Sequence, residues 1–188
     1  MIHENIKPDD NRLKSSQLYD LKGLFVSSDN SKIVIPDLQR DYCWGTTGNL
    51  VVDFVDNLIK HFEENRSKDL IIGLIYGYYE KERPYLQLCD GQQRLTTLYL
   101  LLGLLNIMSE EENPFQDFLI SDFEYNLDDK EPTLLYAIRD SSLYFLSDLV
   151  CKFFIKSDKN KYAWQDNIPS DFIKKQSWWF HEYESDPT

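Results

Sequence analysis

Apolar positions along the chain fall into blocks of two periodicities, and the blocks meet at one polar junction. Leu86, Leu88 and Cys89 form a short run with a partial period of two, which predicts a buried strand. Directly after it, Leu95, Leu98, Leu102 and Leu105 recur at helical spacing to about Met108. Tyr99, Leu101 and Leu104 fill the other faces, so the segment reads as a core helix. Upstream, Leu18, Leu21, Leu24 and Phe25 suit a short helix within Leu13 to Phe25, and Ile33, Val34 and Ile35 suit a strand from Lys32 that Pro36 stops. Leu50, Val51, Phe54, Val55, Leu58, Ile59 and Phe62 make one wide stripe of a helix from about Asn49, its cap, to Glu64. Leu70 to Tyr79 is apolar and aromatic, interrupted by Gly73 and Gly77. It reads as a central strand in which Gly73 marks a close approach by another backbone or a ligand. Glu80 to Pro84 then turns a hairpin into the strand ending at Asp90.

Past Met108, Ser109 to Pro114 is a break. Phe118 to Leu127 and Pro132 to Ile138 read as two strands joined by Asp128-Asp129-Lys130-Glu131. A helix follows with Leu143, Phe145, Leu146, Leu149, Val150, Phe153 and Phe154 on its buried side, capped by Asp140 or Ser141. The fold class is therefore α+β. Residues 1–110 form a small mixed sheet with packed helices, and residues 111–188 a hairpin-and-helix lobe. A chain that stops just after Trp178-Trp179-Phe180-His181 reads as a truncated piece of a longer protein.

The junction between the 86–90 strand and the following helix carries the densest polar chemistry. Only Asp90-Gly91 separates the two elements, and the first helical turn holds Gln92, Gln93, Arg94, Thr96 and Thr97. Such a turn aims unpaired backbone N–H groups at the loop mouth, where they bind anions and phosphates. Gly91 permits a sharp turn and a close ligand, and Arg94 adds a planar, permanently charged fork. The alternative reading has Asp90 capping the helix, the glutamines in solvent and Arg94 on a surface acid. Thr96 and Thr97 suit phosphate contact or a bond back to the helix backbone equally. A second cluster, Gln39-Arg40-Asp41-Tyr42-Cys43-Trp44, follows the 32–35 strand. Gln39 and Arg40 suit an anion, while Tyr42 and Trp44 either stack on a flat ring or anchor the loop.

Composition narrows the chemistry. A net charge of −12 on 188 residues argues against holding nucleic acid through a general positive field, though it leaves room for one basic pocket. Three distant cysteines outside any Cys-x-x-Cys pair suit neither a disulfide framework nor a zinc site, and fit a reducing cytoplasm. The N-terminus lacks the features of a signal peptide and no apolar run reaches a membrane span, so a soluble cytoplasmic protein with no membrane partner is expected. His3, His61 and His181 sit in no metal-binding spacing, and neither a Gly-x-x-x-x-Gly-Lys-Ser/Thr loop nor a Gly-x-Ser-x-Gly elbow occurs.

Together, Ile35-Pro36-x-x-Gln39-Arg40-x-Tyr42-x-Trp44, Leu70-Ile71-Ile72-Gly73 and Asp90-Gly91-Gln92-Gln93-Arg94-Leu95-Thr96-Thr97-Leu98 resemble the GmrSD-type restriction endonuclease N-terminal domain family, which has a ParB/sulfiredoxin-like core. Tyr136-x-x-Arg139-Asp140-Ser141-Ser142 and Asp186-Pro187-Thr188 agree with its later segments. The resemblance runs from about Ile33 to the last residue and departs at Cys89, where the family usually carries Ile or Val. It implies a regulatory domain that binds and hydrolyses nucleoside triphosphates and controls a nuclease module acting on modified or foreign DNA. It further implies a phosphate site at Asp90, Gly91, Gln92, Gln93 and Arg94, with Gln39 and Arg40 lining the same cleft and Arg139 reaching it from the second lobe; Thr96 and Thr97 join the candidate phosphate contacts on their residue chemistry alone. Asp90, Gln93 and Arg94 would be catalytic, with Asp90 the residue for Mg²⁺. The rival expectation is a non-catalytic DNA sensor reading modified DNA through the Gln39–Trp44 cluster, with Gln39, Arg40, Tyr42 and Trp44 as the reading residues and Tyr42 and Trp44 as the base or DNA contacts.

Overall fold

The computed structural model describes residues 12–26, 32–80, 85–123, 126–157 and 169–186. Its centre is a four-stranded sheet in the order β2-β3-β1-β6, built from β1 (Ile33–Ile35), β2 (Tyr76–Tyr79), β3 (Leu86–Asp90) and β6 (Leu134–Tyr136). β1 runs parallel to β3, with Ile33 opposite Leu86, and parallel to β6, with Ile35 opposite Tyr136. All three β1 residues are buried, as a β-branched run flanked on both edges should be. β2 pairs antiparallel with β3 and forms an outer edge.

One helix dominates the packing. α3 (Gln92–Met108) leaves β3 after a single residue, Gly91, and buries Leu95, Tyr99, Leu102 and Ile107 in one cluster with the sheet and the C-terminal elements. Tyr99 is fully enclosed, and its hydroxyl donates to the Leu119 carbonyl at 2.5 Å. Gly103 lets this helix pass close to a π-helical turn, Val150–Phe154; a methyl group at Gly103 would collide with the Phe154 ring. The remaining elements are α1 (Leu21–Phe25), α2 (Leu50–Glu64), α4 (Gln116–Leu119), the hairpin β4 (Ile120–Phe123) and β5 (Asn126–Pro132), α5 (Asp140–Leu149), α6 (Pro169–Ile173) and α7 (His181–Glu184). No described helix is long and apolar enough to cross a membrane.

The mixed α+β architecture agrees with the sequence pattern, and its boundaries differ in instructive places. Leu70 to Tyr79 is not a central strand: only Tyr76–Tyr79 pairs, at the sheet edge, and residues 70–75 run irregularly beside Arg94. The first helix shrinks to Leu21–Phe25, where the Asp20 carboxylate accepts from Gly23 N at 2.6 Å. Asn49 and Arg139 occupy the cap positions of α2 and α5 without a side-chain cap bond, so Asn49, Asp140 and Ser141 are not capping side chains of those helices. The strand expected over Phe118 to Leu127 is a short helix followed by β4, and the one expected over Pro132 to Ile138 is split. Pro132 closes the hairpin and Leu134–Tyr136 crosses into the main sheet. The sheet and the buried cluster therefore run across the 110/111 division. Buried Lys32, at the start of β1, pairs with Glu131 of β5 and ties the hairpin to the sheet. The expected turn residues 81–84 lie outside the described residues.

Candidate functional site

Gly91 is the hinge on which the site is built. Its φ of 90° is left-handed backbone, and a Cβ there would stand 3.0 Å from the Leu74 carbonyl oxygen, so both the turn and the neighbouring chain demand glycine. The helix starts at once, with Leu95 N donating to Gly91 O at 3.0 Å. The N–H groups of Gln92, Gln93 and Arg94 precede the first possible intrahelical acceptor. Asp90 does not cap the helix; Gly91 occupies that position, with no side-chain bond.

The two glutamines are buried, and their amides brace the segment after β1. Gln93 Oε1 accepts from Cys43 N at 2.9 Å and from Trp44 N at 3.2 Å, while its Nε2 donates to Asp41 O at 2.9 Å. Gln92 Nε2 donates to Arg40 O, with the Tyr136 hydroxyl at 3.4 Å. Residues 40–44 have no strand or helix partner, so these amides supply the hydrogen bonds that regular structure would otherwise provide. Only a side chain that both donates and accepts can do this, which selects Gln over Glu.

Arg94 braces a second irregular segment, at Gly73 and Leu74. Its Nη2 donates to Leu74 O at 2.8 Å, and the guanidinium packs flat on Gly73, where a Cβ would lie 3.0 Å from Cζ. The close approach expected at Gly73 is thus made by this side chain. At this junction opens a cavity of about 370 Å³ lined by Gln39, Arg40, Trp44 and Cys89 to Arg94. Arg40 and Asp90 are exposed at its rim, and neither side chain has a hydrogen-bonding or ionic partner among the described residues. Trp44 meets Phe54 of α2 edge-on at 5.6 Å. Cys89, expected to be a small buried residue, is only half-buried and forms part of the lining.

Four residues predicted for the site lie off the cavity lining. Thr97 bonds back to Gln93 O at 2.8 Å and meets the Tyr42 hydroxyl at 2.9 Å. Thr96 is buried beside the Tyr136 hydroxyl. Tyr42 is half-buried and anchors its loop, and burial raises its pKa above the ordinary phenol value. Arg139 holds Asp41 bidentately, Nη1 to Oδ1 at 2.5 Å and Nη2 to Oδ2 at 2.9 Å. That pairing raises the guanidinium pKa further. Asp41 and Asp186 lie within quoted sequence motifs, yet no local pattern assigns either of them a role. Arg139 and Asp41 stand 98 positions apart, and no spacing rule links them.

These features define an α+β domain with a polar cleft at a strand-to-helix junction. Residues 21–185 match the family model for the N-terminal domain of the GmrSD restriction endonuclease, and the chain belongs to that family. It is accordingly a domain of a restriction and defence protein. No curated protein and no solved structure matches it.

Proposed function

We propose that this domain binds and hydrolyses nucleoside triphosphates and thereby regulates a DNA-restriction activity, the DNA being reached through a nuclease module or partner subunit. The observation that carries the reading is the cavity itself: one cleft of about 370 Å³ collects Gln39, Arg40, Trp44 and the Asp90–Arg94 turn from two segments fifty residues apart. Phosphate oxygens would meet the backbone N–H groups that open α3, whose dipole favours negative charge. Arg40 supplies an exposed cation beside them. Trp44 offers a ring face of the kind on which a base stacks.

The donor set fits Mg²⁺. A single exposed carboxylate, Asp90, suits an ion that binds through one or two carboxylates, substrate phosphates and water rather than in an all-protein cage. No group of three or more His, Cys, Asp or Glu poised to hold a metal occurs among the described residues. When bound, Mg²⁺ would neutralise charge on the phosphate oxygens. Asp90 would hold the ion, and Arg94 would offer its remaining N–H groups to developing charge while keeping Leu74 in place. Gln92 and Gln93 act as positioning residues, because their amides are spent on the 40–44 backbone. Gln93, expected among the catalytic residues, thus acts through the wall it holds.

Calorimetric titration with the four triphosphates and Mg²⁺, beside plain and modified DNA, tests the proposal. Saturable triphosphate binding is expected, weakened about tenfold or more in Arg40→Ala, which loses a charge-assisted bond of about 1.5–3 kcal/mol. Asp90→Ala should keep metal-free binding and lose Mg²⁺-dependent turnover. Equal affinity and rate in both folded variants, or saturable binding of modified DNA alone, would overturn it.

A further inference from the structure

The end of the described chain is joined to the cavity by a short relay of charged and hydroxyl groups. Asp186 is almost fully enclosed, with 4 % of its side chain exposed, although it lies in an irregular segment just past α7. One of its carboxylate oxygens accepts from the hydroxyls of Ser141 and Ser142, the latter at 2.8 Å. The other lies 3.7 Å from Arg139 Nη1. Arg139 is at the same time locked bidentately on Asp41, and the Asp41 carbonyl is the acceptor for Gln93 Nε2. Arg40, the exposed cation of the cavity, is the residue before Asp41. Two side chains thus separate the C-terminal segment from the backbone that forms one cavity wall.

We infer that docking of the α7 segment and ordering of the 40–44 cavity wall form one cooperative unit, coupled through Asp186, Arg139 and Asp41. The physical ground is the sharing of one guanidinium by two carboxylates. Arg139 faces Asp41 with the paired, planar geometry that only arginine offers. That geometry is held from behind by Asp186, itself fixed by two serines at the start of α5, while the Tyr183 hydroxyl donates to Asp148 at 2.8 Å and pins α7 to the same helix. Releasing Asp186 frees Arg139 to rotate, and Asp41 then loses its bidentate partner. The 40–44 segment then keeps the glutamine amides and the Tyr42–Thr97 contact but loses the arginine clamp. The converse holds by linkage, since whatever orders the wall also favours the docked segment. As regulation of the cavity, this rests on the triphosphate reading; as a coupling between two segments it does not.

Hydrogen exchange read by mass spectrometry separates the two. In Asp186→Asn, exchange at residues 40–44 should quicken roughly fivefold or more, and in Asp41→Asn the same should happen at residues 181–186. Arg139→Lys keeps the charge and loses the fork, so it should loosen both segments by a smaller factor while keeping the fold. Changes confined to the substituted side in all three variants overturn the coupling. Adding a non-hydrolysable triphosphate with Mg²⁺ to the wild-type chain should protect residues 40–44 and 181–186 together. Protection of 40–44 alone also overturns it. Failure of any triphosphate to bind overturns the triphosphate reading instead, and the three variants then decide the coupling by themselves.

Discussion

Gln92, Gln93 and Asn106 sit on a helix that is otherwise apolar nearly all round, and each is buried. Their amides serve stretches of chain that have no ladder of their own. Asn106 donates to Phe154 O at 2.9 Å and to Asn113 Oδ1 at 2.8 Å and accepts from Phe115 N at 2.8 Å, much as the glutamines hold 40–44. Leaving such backbone groups unpaired would cost about 1–3 kcal/mol each. In sequence these amides read as solvated or as ligand contacts, because a polar residue on a helix does not announce which distant carbonyl it will meet. Gly91 is the opposite case, legible from its place between strand and helix. Replacing it by Ala forces a side chain into left-handed backbone and against Leu74 O. The expected loss is about 1–2 kcal/mol, seen as a fall of several degrees in the thermal midpoint. An unchanged midpoint would show that the turn relaxes freely.

Among the elements, α3 was the most legible, from its apolar density and the Asp-Gly start. What spacing could not supply is how near a neighbour comes. The Gly103–Phe154 contact leaves no room for a methyl, so Gly103→Ala should destabilise by about 1–3 kcal/mol through overpacking, despite the better helix propensity of Ala. Chemical denaturation of Gly103→Ala with and without Phe154→Leu checks this, since the smaller side chain should return part of the loss. α2 shows the reverse limit. Its stripe is strongly amphipathic, yet no residue of it is buried, and Leu50, Ile59 and Phe62 remain exposed. Periodicity reports that a face can be buried; what covers it depends on the rest of the molecule. Likewise the 70–79 run looked like a central strand by composition. It lies at an edge because β1, with neighbours on both sides, takes the centre.

At the scale of the whole molecule, burial of tyrosines ties stability to pH. Desolvation is the leading cause of the upward pKa shift at Tyr42, Tyr99, Tyr136 and Tyr183, so all four hold their protons more tightly folded than unfolded. A raised folded pKa gives stability that is complete below the ordinary value of 10.0 and is lost as pH climbs above it, where only the unfolded chain ionises. The denaturant midpoint should therefore fall steeply above about pH 10. Tyr99→Phe should flatten that fall while lowering the plateau, because it also gives up the bond to Leu119 O. A midpoint unaffected by alkali would rule out burial of these phenols.

Sequence by itself determined the α+β class, the strand-to-helix turn at Asp90-Gly91, the core helix behind it and the family. Each rests on local periodicity, turn chemistry or a contiguous motif. The family resemblance already set Gln39 and Arg40 at that turn; tertiary structure alone decided that the glutamine amides build the wall between the two segments, and that Arg139 closes on Asp41 with Asp186 behind. Those contacts join residues about 45 to 98 positions apart; the glutamines meet backbone groups that look identical in every sequence, and the charged partners share no local spacing. Their pairing follows from which strands share the sheet, and no spacing along the chain encodes that.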